Sequence, residues 1–61
     1  MAGKFELYKD KQDKYRFRLK AGNGEIVASG ESYPTRAGAR EGVDAVQRAA
    51  AGAQIVDLTD D

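Results

Sequence analysis

Residues 14–20, KYRFRLK, alternate a basic side chain with a large apolar one for a whole strand length. A helix would scatter these two classes around its circumference. An extended strand sorts them, with Tyr15, Phe17 and Leu19 on one face and Lys14, Arg16, Arg18 and Lys20 on the other. One face is thereby committed to a core and the other to water or a ligand. Gly22, Asn23 and Gly24 follow, and the Asn-Gly pair supplies the positive φ angles of a tight hairpin turn. With Asn23 and Gly24 at the turn, Ala21 pairs with Ile26 and Leu19 with Ala28, so the apolar faces of two consecutive strands coincide. Val27 and Ser29 then lie among the basic residues.

The same period appears upstream in KFELYK, residues 4–9, with Phe5 and Leu7 on one side and Lys4, Glu6 and Tyr8 on the other, before DKQD breaks it. Matching the apolar faces pairs Leu7 with Phe17 or with Tyr15, and either register sets Glu6 across from an arginine. Pro34 ends the sheet by removing a backbone donor, and Thr35 is a natural N-cap. From Arg36 to about Ala51, Ala39, Gly42, Val43, Val46, Ala49 and Ala50 recur at helical spacing as one stripe. Asp44 and Arg48 on the polar face make an acid-first i, i+4 pair. Gly38 and Gly42 each cost about 1 kcal/mol against Ala in a helix. Close approach to the large sheet side chains is the expected offset. Gly52 ends the helix, and AQIVDL reads as a short fourth strand with Ile55 and either Val56 or Leu58 buried. The fold class is α+β: a β-β-β-α-β unit whose antiparallel sheet carries one helix on one face. It forms a single domain over residues 1–61, ordered at about 4–58, with the terminal TDD expected to fray.

A chain of 61 residues buries only about 60% of the surface its unfolded form exposes, so the core is thin. No Cys and no His are present, which leaves disulfide and metal staples poorly supplied. Self-association is the remaining route to stability, and a homodimer is expected. Net charge is zero, but residues 4–20 hold seven Lys and Arg against three acids, while residues 41–61 hold one Arg against five Asp and Glu. Such a split serves subunit pairing as readily as polyanion binding. No apolar run approaches a membrane span and no secretory h-region opens the chain, so no membrane association and a cytoplasmic location are expected.

The string FRLKAGNGEIVASGESY, leading into a helix with Gly42-Val43 and Val46 and then AQIVDL, resembles the YegP-like family of small bacterial and archaeal proteins of unknown function. The resemblance runs from about Phe5 to Leu58. It implies that β-β-β-α-β units, as tandem copies or separate subunits, exchange their C-terminal strands. For a single copy it implies a homodimer in which Gln54, Ile55, Val56, Asp57 and Leu58 of each chain pair in the other's sheet. The family brings no agreed activity, cofactor or catalytic residue.

For function, the basic row is the best lead. Lys14, Arg16, Arg18 and Lys20, with Tyr8 on the same face as a stacking platform, could follow a single-stranded nucleic-acid backbone. Against this, any half-buried strand alternates so, Glu6 and Glu31 stand ready as counter-charges, and one aromatic is a poor platform. Gly22 and Gly24 do not make a phosphate loop, because Val27 stands where a third Gly is needed and a strand follows. Tyr33 beside Pro34 reads as a packing anchor. No catalytic constellation is present, Asp57, Asp60 and Asp61 read as an acidic tail rather than a cation site, and no cofactor or metal is expected. The expected function is a small homodimeric binding or structural module that is not an enzyme, with weak nucleic-acid binding as the alternative.

Overall fold

The structure, a computed structural model, describes residues 2–60. Three strands, β1 (Lys4–Lys9), β2 (Tyr15–Lys20) and β3 (Ile26–Ser29), form one antiparallel sheet in the order β1-β2-β3, followed by helix α1 (Arg36–Ala50). In the β1–β2 pair Leu7 stands opposite Phe17, Phe5 opposite Leu19 and Glu6 opposite Arg18, the first of the two registers that the apolar pattern allowed. Lys14 falls outside β2, where it closes the preceding turn.

Both hairpins use the same turn. In the first, Asp13 N–H donates to Asp10 O at 3.1 Å and Asp10 N–H to Lys14 O at 2.9 Å, with Asp13 at φ 61°. In the second, Gly24 N–H donates to Ala21 O at 2.9 Å and Ala21 N–H to Glu25 O at 2.8 Å, with Gly24 at φ 89°. Each is a three-residue loop whose last residue is left-handed, the type I turn with a G1 bulge. The two-residue Asn-Gly turn is therefore corrected: Asn23 does not take a positive φ, and its Oδ1 instead accepts from Glu25 N–H at 3.0 Å. The odd residue in the loop sets Ile26 opposite Lys20 rather than Ala21. A second shift between Leu19 and Lys20, absorbed at Val27, restores the expected Leu19–Ala28 pair.

Beyond β3 the chain returns to β2. Gly30 N–H donates to Phe17 O, and Tyr33 and Tyr15 exchange both backbone hydrogen bonds at 2.8 and 2.9 Å. This pins Tyr33 over the centre of the sheet, stacked on Phe17 with ring centroids 6.2 Å apart. The packing-anchor reading of Tyr33 holds.

Thr35 caps α1, its Oγ1 accepting from Gly38 N–H at 3.0 Å. The close approach expected of the helix glycines is made at Gly42. A Cβ there would overlap Tyr33 Oη, meet Tyr33 Cζ at 2.8 Å and lie 3.2 Å from Phe17 Cε2. The ring that needs the space is thus Tyr33, which no strand carries. Asp44 reaches back to Arg40 at 3.9 Å, so the expected Asp44–Arg48 pair is replaced by Arg40–Asp44.

The buried apolar residues are Phe17, Ala39 and Val43. Val46, Ala49 and Ala50, expected in the same stripe, are exposed, because the last two turns of α1 overhang the sheet. Residues 54–58 form no strand in the single chain, and the expected burial of Ile55 with Val56 or Leu58 is likewise corrected: they are 99%, 69% and 87% exposed. Asp61 of the TDD end lies outside the described residues. The radius of gyration is 13.6 Å, against about 10.5 Å for a compact chain of this length, and the long axis reaches 43 Å. The C-terminal segment stands away from the body instead of folding onto it.

Candidate interaction surfaces

The sheet face turned away from α1 carries the basic row. Register brings Tyr8, Arg16, Arg18 and Lys20 together there and adds Lys4, while Lys14 departs into the turn. Glu6 lies among them, accepting from Arg18 Nε at 2.8 Å and lying 3.4 Å from Lys20 Nζ and 3.7 Å from Lys4 Nζ. The hydrogen bond from Arg18, followed by that from Lys20, holds the Glu6 carboxyl below the usual carboxylate range. Asp10 is the second counter-charge, with Oδ2 3.9 Å from Arg16 Nη1 and Oδ1 accepting from the backbone N–H of Gln12 and Lys14. Glu31, the partner expected from the sequence, joins no ion pair among the described residues. Asp10 was not singled out from the sequence; the signal for it is an Asp opening a turn, whose side chain commonly bonds the backbone two residues on.

Tyr8 is engaged as well. The Arg18 guanidinium sits over its ring at 4.7 Å, so the face that a base would stack on is covered from within the chain. Arg16 Nε is shielded from solvent without a hydrogen-bond partner. The row is thus an internally paired network, in which Lys4, Arg18 and Lys20 share Glu6 and Arg16 faces Asp10.

A second surface lies on the other side. The outer edge of β1 pairs with nothing in the sheet order, and between it and α1 runs an open groove of about 380 Å³. Phe5, Leu7 and Val43 supply its apolar lining, and Arg36, Arg40 and Asp44 its charges. Phe5 and Leu7 are only half-buried, since α1 leaves the β1 side of the sheet uncovered. Neither arginine was singled out from the sequence, where both sit on the polar side of the stripe. Near the other end of the chain, Asp57 Oδ1 accepts from Thr59 N–H and Oγ1 at 2.9 and 2.6 Å, which lowers the Asp57 pKa. Among the described residues no three His, Cys, Asp or Glu side chains converge as metal ligands, and no helix is long and apolar enough to cross a membrane.

Comparison with known sequences gives one family. The profile of a domain of unknown function, DUF1508, matches residues 10–57. The chain belongs to the DUF1508 family. The match begins at the turn after β1 and takes in β2, β3, α1 and the exposed segment up to Asp57, so that segment is part of the DUF1508 domain. Relatives with the name UPF0339 protein include one from Treponema denticola, 55% identical over 95% of this chain and 100% of its own length, and one from Agrobacterium fabrum, 50% identical over 92% and 90%. The chain also matches 43% of the length of a UPF0339 protein of Stutzerimonas stutzeri, with 44% identity. Among solved structures, a solution structure of a protein from Haloferax volcanii is similar with a TM-score of 0.79 and 38% identity, over 93% of this chain and 97% of that one. The DUF1508 description assigns no activity.

Proposed function

We propose that this DUF1508 protein acts as a homodimeric binding or structural module without catalytic activity, its subunits joined by exchange of residues 54–58. The observation that carries this reading is the pairing of an unsupported apolar segment with an unfinished body. Ile55, Val56 and Leu58 stand in solvent, while the sheet has two open edges and α1 leaves Val46 exposed. A monomer would keep all this apolar surface wet, and mutual strand addition removes it from both chains at once. The length of the Stutzerimonas relative supports the reading, since the part of it not matched by this chain has room for a second such unit.

The basic face supports single-stranded nucleic-acid binding less well. Two of the features that such binding needs, unpaired cations and an open aromatic face, are taken up by Glu6, Asp10 and Arg18.

Sedimentation equilibrium at micromolar concentration tests the dimer directly. The full chain is expected at twice the monomer mass, and a chain ending at Ala53 at the monomer mass. A full chain that sediments as a monomer would defeat the proposal.

A further inference from the structure

Arg36 and Arg40 are placed against the electrostatics of their own helix. They occupy the first two turns of α1, where the backbone dipole favours anions, and no acidic residue stands in the first turn. They are also like charges at i, i+4, a repulsive spacing. Arg40 has one carboxylate, Asp44, at 3.9 Å, and Arg36 has no ion-pair partner among the described residues. Both line the groove beside Phe5, Leu7 and Val43. A cationic rim over an apolar floor asks for an occupant that is apolar along one face and acidic at one end.

The end of the chain has this pattern. In an extended segment alternate residues share a face, so Gln54, Val56, Leu58 and Asp60 point one way and Ile55, Asp57 and Thr59 the other. The first set reads polar, apolar, apolar, acidic, with the two apolar residues adjacent to the acid. We infer that the groove between β1 and α1 receives this face of a second copy's C-terminal segment, with Val56 and Leu58 against Phe5 and Leu7 and Asp60 between Arg36 and Arg40. The inference rests on the strand-exchanged dimer and adds which edge, which face and which direction.

Lengths agree. Residues 54–60 span about 23 Å when extended, and the six residues of β1 about 20 Å, a difference of one residue. Direction follows from the lining. Leu7 lines both lobes of the groove with Arg36 and Arg40, whereas Phe5 lines only the lobe that reaches on to Val43, Asp44 and Gln47, so the arginines lie toward the Leu7 end. With Asp60 at the arginines, the incoming strand runs in the same sense as β1. Its backbone then satisfies the unpaired β1 edge, as in other strand additions to an exposed sheet edge.

The test has two parts. Dimer dissociation constants measured by sedimentation are expected to rise about thirtyfold or more for Leu58→Lys and much less for Ile55→Lys, which lies on the other face. Arg36→Glu with Arg40→Glu should weaken the dimer about three- to tenfold, and Asp60→Lys added to that pair should recover most of the loss. In the second part, chains with a nitroxide on Thr59→Cys are mixed with isotope-labelled wild-type chains. Amide broadening is expected at Leu7, Arg36 and Arg40 of the labelled chain. If the wild-type chain is a monomer, the dimer reading fails and this inference with it. If the dimer forms but broadening falls on β3 or near Gln47, or Ile55→Lys costs more than Leu58→Lys, the groove assignment is overturned while the dimer stands.

Discussion

Arg18 donates its Nε–H to Glu6 Oε1 at 2.8 Å across the β1–β2 pair, while its guanidinium covers the Tyr8 ring. One arginine thereby joins the acid that β1 places on this face to the aromatic that β1 places beside it. The arrangement sets how the protein responds to acid. Because the folded state lowers the Glu6 pKa, the unfolded chain binds more protons as pH falls through the glutamate range, about 4.3 in free peptides. The stabilisation is complete above that value and is lost as pH drops through the lower folded value. Thermal unfolding at fixed protein concentration, from neutral pH to about pH 3, should show Glu6→Gln less stable than wild type at neutrality and the two curves converging in acid. Parallel curves would remove Glu6 from the account.

Gly42→Ala sets two effects against each other. Alanine gains about 1 kcal/mol in helix propensity, but its methyl group would collide with Tyr33 and crowd Phe17, an overpacking that costs about 1–3 kcal/mol. A net loss in the denaturant midpoint is expected. In a Tyr33→Leu background, where the hydroxyl and its ring carbon are gone, the same substitution should become neutral or favourable, and a double-mutant cycle measures the difference.

The two turns invite opposite substitutions at equivalent positions. Gly24→Ala places a Cβ at φ 89° and should cost about 1–2 kcal/mol. Asp13→Gly relieves a non-glycine residue at φ 61° and should gain up to about 1 kcal/mol, less the entropy glycine loses on folding. Urea titrations of the two variants check both signs.

For the basic face the expected outcome is negative. Amide spectra of the protein titrated with mixed-sequence single-stranded RNA at near-physiological salt should show no saturable shifts at Tyr8, Lys14, Arg16, Arg18 or Lys20. Shifts confined to those residues that fade as salt rises would reverse the assignment, and Arg16→Glu with Arg18→Glu should then abolish them.

Much of the fold was legible because period and chemistry agreed. The strand pattern narrowed Leu7 to Phe17 or Tyr15, of which the structure takes Phe17, Thr35 was placed as the cap, and α1 ended within a residue of where the stripe stopped. Two of the features that escaped show why. The Asn-Gly pair argued for a two-residue turn, but a three-residue loop with Gly24 alone left-handed satisfies the same glycine, and local composition does not separate them. Val46, Ala49 and Ala50 have helical spacing whether or not a sheet lies beneath them, so periodicity marks the stripe without saying how far the cover extends. In the site, Glu6 followed from register, whereas Asp10 was read only as a breaker between strands. Arg36 and Arg40 looked like ordinary solvated charges until the groove placed them beside Leu7.

The twin turns have a consequence in time. Each joins neighbouring strands through a three-residue loop, so the contacts that build the sheet require only short chain closures, the fast kind. The proposed strand exchange, by contrast, needs an encounter between two molecules. Refolding after dilution from denaturant should therefore separate into an early phase independent of protein concentration, in which the meander and α1 form, and a later phase whose rate rises in proportion to it. Under the proposed exchange, a cell making this chain slowly would hold single copies with Ile55, Val56 and Leu58 still in water until a second copy arrived.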